Sequence, residues 1–227
     1  MKNLLIRFLF VTIGFVNLSN GQTITIGSQV WMTKNLDVST FRNGDSIPEV
    51  KTDEEWKKAG ENKQPAWCYY NNDPNNGEKY GKLYNWHAVN DPRGLAPEGW
   101  HIPSVTEWDS IINLLGGEEI AGGKMKSKEG WSNNYNGTDE SGFGGLPGGC
   151  RLIEGDFVEV KGFTNLNGSD EAGWWWSSSL YLDANYDWKL QAWGIDIGGG
   201  RRNIPWDDVG VSWMSQELGQ SVRCVKD

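Results

Sequence analysis

The chain has 227 residues, a net charge of −9, and 14 Trp among 30 Gly. A surface this acidic repels phosphate backbones and anionic lipid, which argues against nucleic-acid and membrane-surface partners. Its three Cys form no C-x-x-C pair, which argues against a zinc ribbon or a thioredoxin-type redox site.

Residues 1–21 read as an export signal. Lys2 and Arg7 give the positive start, an apolar run follows at 8–15, and Ser19 and Gly21 place small residues before a cut ahead of Gln22. The run is shorter than the ~20 apolar residues a spanning helix needs. No Cys lies near the cut, so no lipid anchor is expected, and the chain is read as extracellular or on the outer cell surface. With Lys2 and Arg7 gone, 19 of the 21 basic residues face 30 acidic ones, a charge of −11. Residues 22–227 contain no linker and no internal repeat and read as one domain. So many Trp and Gly predict a core of large rings joined by turns rather than long aliphatic helices.

In chain order, alternating residues predict strands at 23–26 and 29–32 around a Gly-Ser turn. Thr52 and Glu55 predict a capping box, with Trp56 on the inner face of the helix. A short strand is expected at 66–70, a loop at 71–77, and helical spacing runs through 83–89. The clearest helix is 105–115: Ser104 and Glu107 form S-x-x-E, Trp108, Ile111, Ile112 and Leu115 share a face, and Gly116 closes it. After Gly123 short strands and Gly-rich turns take over. Residues 151–153 and 157–160 flank Glu154-Gly155-Asp156 as a hairpin, and strands are expected at 174–179, 189–197 and 220–225. Early helices and late strands predict an α+β domain, with short mixed or antiparallel sheets and two or three helices in the N-terminal half.

These segments carry a resemblance. Ile26-Gly27-Ser28-Gln29-Val30-Trp31-Met32 with Asn35-Leu36, and Tyr80-Gly81-Lys82-Leu83-Tyr84-Asn85-Trp86, resemble the Fibrobacter succinogenes major paralogous domain. So do Pro97-Glu98-Gly99-Trp100-His101-Ile102-Pro103 with Glu107-Trp108, Ser141-Gly142-Phe143 through Leu146-Pro147-Gly148-Gly149, Trp175-Trp176-Ser177-Ser178, and Ser221-Val222-Arg223-Cys224-Val225. That family looks like a branch of the C-type-lectin-like fold in its formylglycine-generating-enzyme variety. The resemblance implies an exported or surface-associated bacterial protein without a defined activity.

The chemistry of formylglycine generation needs a copper-binding thiol pair before the last strand, and residues 198–219 hold no Cys. His87 and His101 lie on different elements, and His101 reads as a packed, hydrogen-bonded side chain. The Ser177–Ser179 run lacks the G-x-S-x-G setting of a nucleophile. No catalytic residue is therefore assigned and no cofactor is expected. Asn71, Asp73, Asn75 and Glu78 offer oxygens to a structural calcium, but the EF-hand pattern fails at Asn76 and Lys82 and an Asx-rich turn is preferred. At most one disulfide is expected, from Cys224 to Cys68 or, second, to Cys150.

The remaining candidate surface is 183–213. Trp188, Arg201, Arg202, Trp206, Asp207 and Asp208 combine flat rings with charged hydrogen-bonding groups, a mixture suited to glycan or protein recognition. The segment is read as largely loop. The functional expectation is a recognition module. A structural subunit of a surface assembly and a polysaccharide-acting hydrolase stand as alternatives.

Overall fold

The computed structural model describes residues 23–132, 135–158, 172–182, 191–198 and 207–227. The export segment at 1–21 lies outside these residues. The opening elements are β1 (Thr23–Ile26), β2 (Gln29–Met32), α1 (Asp53–Glu61), β3 (Trp67–Cys68), α2 (Asn75–Tyr80), β4 (Leu83–Tyr84), α3 (Trp86–Val89) and β5 (Trp100–His101). Then come α4 (Val105–Leu114), α5 (Glu118–Met125), β6 (Cys150–Arg151), β7 (Phe157–Val158), β8 (Gly173–Tyr181), β9 (Gln191–Ile197), β10 (Val209–Ser215) and β11 (Val225–Lys226). The fold is α+β, with short antiparallel sheets and, among the described residues, five α-helices, all before residue 126, rather than the two or three expected, because α2 is too short to show a helical period and α5 carries two internal Gly.

The two ends of the domain meet in one sheet of order β1-β2-β11-β5. Val225 pairs with Trp31 on one side and His101 on the other, so the closing strand locks the opening hairpin to the entry of α4. A second sheet, β10-β9-β8, is an antiparallel meander. Two small ribbons, β3-β4 and β6-β7, complete the sheets.

Both capping boxes form. Thr52 Oγ1 accepts from Glu55 N at 3.2 Å, and Ser104 Oγ accepts from Glu107 N at 3.3 Å, with each Glu carboxylate accepting from its cap amide in return. Satisfying two orphan amides at each start is what fixes where these helices begin. Trp56, Trp108, Ile111 and Ile112 are buried on the inner faces, and Gly116 ends α4 with φ +115°.

Four expectations are corrected. The 71–77 segment is not a plain loop: a 3-10 turn at Tyr70–Asn72 leads into α2, whose start is fixed by Asp73 Oδ1 accepting from Asn75 N at 3.0 Å. The 83–89 spacing belongs to two elements, because Tyr84 N pairs with Gln220 O and only Trp86–Val89 coils. Helix α5 is new, and its two internal Gly explain why propensity hid it. A Cβ at Gly122 would stand 2.2 Å from Asp208 O, and Gly123 N donates to Asp207 O at 3.0 Å, so the glycines let a neighbouring backbone lie on the helix. The 220–225 strand is shorter than expected. Residues 220–224 bond in turn to Tyr84, Trp174, Trp176, Leu36 and Met32, threading between sheets rather than joining one.

The core is built from rings. Nine of the twelve described Trp are buried, including Trp175 and Trp176 of β8. Buried cations sit over these rings: Lys82 over Trp67, Lys126 over Trp131, Arg151 over Trp56 and Phe157, and Arg223 over Phe143 at 4.1 Å. A buried charge is costly unless its donors are met. Arg223 meets that condition with Asn35 Oδ1 and the Phe143 carbonyl, and Asn35 Oδ1 also accepts from Trp175 Nε1 at 2.8 Å. Burial still pushes the Arg223 guanidinium down to about 9. Several motif residues that carry the family resemblance are thus a structural hub.

The expected disulfide is absent. Cys68, Cys150 and Cys224 are all free and buried, and burial pushes each thiol up to about 12. Cys68 packs with Trp56 and Leu83, while Cys224 packs with Trp100 and Trp176, two different parts of the core.

Candidate functional site

Trp188, Arg201, Arg202 and Trp206 lie outside the described residues. Asp207 is exposed, whereas Asp208 is only 2% exposed. The backbone of this pair packs on Gly122 and Gly123 of α5. The segment after them is not loop as expected but a strand, since Val209–Ser215 pairs along its whole length with β9. The described ends that bracket 183–190 are Leu182 and Gln191. Those that bracket 199–206 are Gly198 and Asp207, at the other end of β9. A seven-residue strand separates the two ends by about 20 Å.

Three rings, one exposed and two partly buried, gather at the first of these ends. Register places Ser215 opposite Gln191 and Gln191 opposite Tyr181, with Trp213 opposite Trp193 in the next row. Alternation puts these five side chains on one face. Further along the same face, Trp175, Ile195, Val211, Ile197 and Val209 enter the core beneath α4 and α5. The face therefore runs from buried core to a projecting aromatic shelf. Tyr181 and Trp213 are stacked, with centroids 5.8 Å apart and planes 29° apart. Trp193 meets Tyr181 edge-on at 5.2 Å and 80°. Trp213 remains 51% exposed, and Leu182, the next described residue after Tyr181, is 84% exposed.

The serine run explains how Tyr181 reaches this position. Trp176 pairs with Gly194 and Leu180 with Ala192, so Ser177, Ser178 and Ser179 together oppose Trp193. This bulge adds two residues, which preserves the alternation of side chains, and bulges bend a strand at its edge. The bulged groups are held elsewhere. Ser178 N donates to Pro103 O, Ser179 Oγ accepts from Val105 N, Ser177 Oγ accepts from Ser179 N, and Ser177 O accepts from Trp86 Nε1. The serines anchor the shelf to the start of α4.

The two His side chains have different surroundings. His101 Nε2 lies 2.7 Å from Glu107 Oε1, and its Nδ1 lies 2.9 Å from Asp227 Oδ1. Partial burial opposes protonation of His101, but the two carboxylate hydrogen bonds outweigh it and hold its pKa above the usual value. For Glu107, burial is likewise outweighed, by the Ser104 amide and His101, and its pKa falls. His87 is pushed down by burial, with Lys63 adding to the effect. Among the described residues no three His, Cys, Asp or Glu side chains converge as metal ligands. Asp73 Oδ1 is occupied by the Asn75 backbone and side-chain amides, which makes its loop an Asx turn. No described helix is long and apolar enough to cross a membrane.

The family model of the Fibrobacter succinogenes major domain matches residues 24–226. No curated protein and no solved structure matches the chain.

Proposed function

From the premise that this chain belongs to the Fibrobacter succinogenes major domain family, we propose that it is an exported, non-catalytic recognition module whose working surface is the projecting end of the β8-β9-β10 sheet. The observation that carries this reading is Trp213, half exposed and backed by Tyr181, in a chain that buries most of its indoles. Large rings held in water on a rigid strand gain by covering them with a partner. Trp188 lies outside the described residues and is not assigned to this surface. Asp207 and Asp208 take second place, since their backbone packs against α5 at the far end of the sheet.

A C-type-lectin-like fold is part of this reading. It is supported by the strand-to-helix entry from His101 to Glu107 and by the central place of the closing strand. Against the hydrolase alternative, the carboxylates of Glu107 and Asp227 are both turned to His101. The test is capture by the immobilised chain of glycans and surface proteins, run beside Trp213→Ala. A partner lost in the variant supports the module. Retention of every partner by Trp213→Ala would sink the assignment of the surface.

A further inference from the structure

We infer that the Tyr181/Trp193/Trp213 shelf is a stacking site for a neutral saccharide, with one pyranose ring lying on Trp213. The inference rests on the preceding reading of the shelf as the working surface, and names its ligand class.

Three observations on the shelf select this occupant. The first is form. Tyr181 is fixed by Trp193 on its edge and lies near-parallel to Trp213, so a flat ring is presented on strand backbone with few rotamers to freeze. The C–H face of a sugar is the matching flat apolar surface. The second is size. An aromatic side chain buries at most about 250 Å², and Tyr181 and Trp193 are already more than half covered. The three rings therefore fall well short of the ~800 Å² per partner of a stable protein interface. The third is polarity. Among the described residues, the side chains that share this end of the face with the rings are Gln191 and Ser215, an amide and a hydroxyl without charge. Ser215 Oγ accepts from Glu217 N at 3.5 Å, which leaves its O–H as a donor. Amide and hydroxyl groups beside a ring suit a ligand whose rim is all hydroxyls. The net charge of −9 disfavours acidic saccharides.

The experiment is calorimetry of the full chain with neutral gluco-, manno- and xylo-oligosaccharides, and with oligogalacturonate as the acidic comparison. Expected are binding of at least one neutral series, oligogalacturonate weaker than it, a loss of at least tenfold in Trp213→Ala, and a smaller loss in Trp213→Phe. The melting temperature of both variants should match the parent, because Trp213 stands half in water. Failure of every neutral series to bind, a preference for oligogalacturonate, or binding indifferent to Trp213→Ala overturns the inference. Sedimentation and protein capture in the same variants separate the two levels. If Trp213→Ala abolishes self-association or a protein partner while no sugar binds, the saccharide assignment falls and the surface stands. If Trp213→Ala changes none of these, both fall.

Discussion

Replacing Trp108 tests the ring-built core most sharply. The residue is 0% exposed and packs between Trp31, at 4.6 Å between centroids, and Phe143, at 5.7 Å. Cutting a buried Trp to Ala costs about 3–5 kcal/mol through lost transfer energy and the cavity left behind. In a domain of this size each kcal/mol moves the melting temperature by roughly 2–4 °C, so Trp108→Ala should melt roughly 6–20 °C lower. Trp108→Phe behaves differently. Trp108 Nε1 has no hydrogen-bond partner among the described residues, and an unmet buried donor carries a cost of about 1–3 kcal/mol. Phe removes that donor and keeps a ring between Trp31 and Phe143, so its net loss should stay within about 1.5 kcal/mol. Thermal melts by near-ultraviolet circular dichroism give both values. Equal destabilisation by Ala and Phe would show that the indole N–H is satisfied and that the reasoning about it is wrong. An unchanged Trp108→Ala melt would mean that the helix face is misassigned.

The His101 clamp predicts a defined pH dependence. A raised His pKa stabilises the fold fully below 6.5 and stops doing so as pH rises through its folded value, while a lowered Glu107 pKa contributes above 4.5 and is lost as pH falls through its folded value. The stability gap between parent and His101→Gln should therefore be widest between pH 4.5 and 6.5 and shrink at alkaline pH; a gap that grows above neutrality contradicts the clamp. The three thiols, buried and pushed up to about 12, should resist a thiol reagent in the native protein and all react after unfolding in the absence of reductant. Fewer than three reactive thiols in that unfolded sample would restore a disulfide.

What was legible in the sequence is what local chemistry decides. Thr52 with Glu55 and Ser104 with Glu107 fix helix starts within four residues, and both form; Glu154-Gly155-Asp156 marks a hairpin that also forms, with the first strand ending at Arg151 rather than at Ile153. What was hidden is decided by distant contacts. Helix α5 carries Gly122 and Gly123 because the chain at 207–208 lies on it, a cause about 85 residues away that propensity cannot register. The stretch 220–224 looks like a strand but spends its backbone bonds on several partners. The candidate surface shows the same division. Trp193 and Trp213 both fall within or at the edge of the 183–213 segment, yet only the register of β9 with β10 places them opposite one another. Tyr181 had no signal of its own; its place follows from the bulge at Ser177–Ser179. Val209, Val211 and Trp213 alternate with Gly210 and Ser212, and that period of two is the local signal of β10.

The indole N–H resonances of the protein test the central claim most directly, since each Trp gives its own signal and Trp213→Phe identifies the one that matters. On titration with a bound partner, the account predicts that the Trp213 signal shifts, with Trp193 following because it shares the shelf, while the signals of Trp31, Trp56 and Trp108 stay in place. A saturating partner that leaves Trp213 unmoved and shifts the others would contradict it.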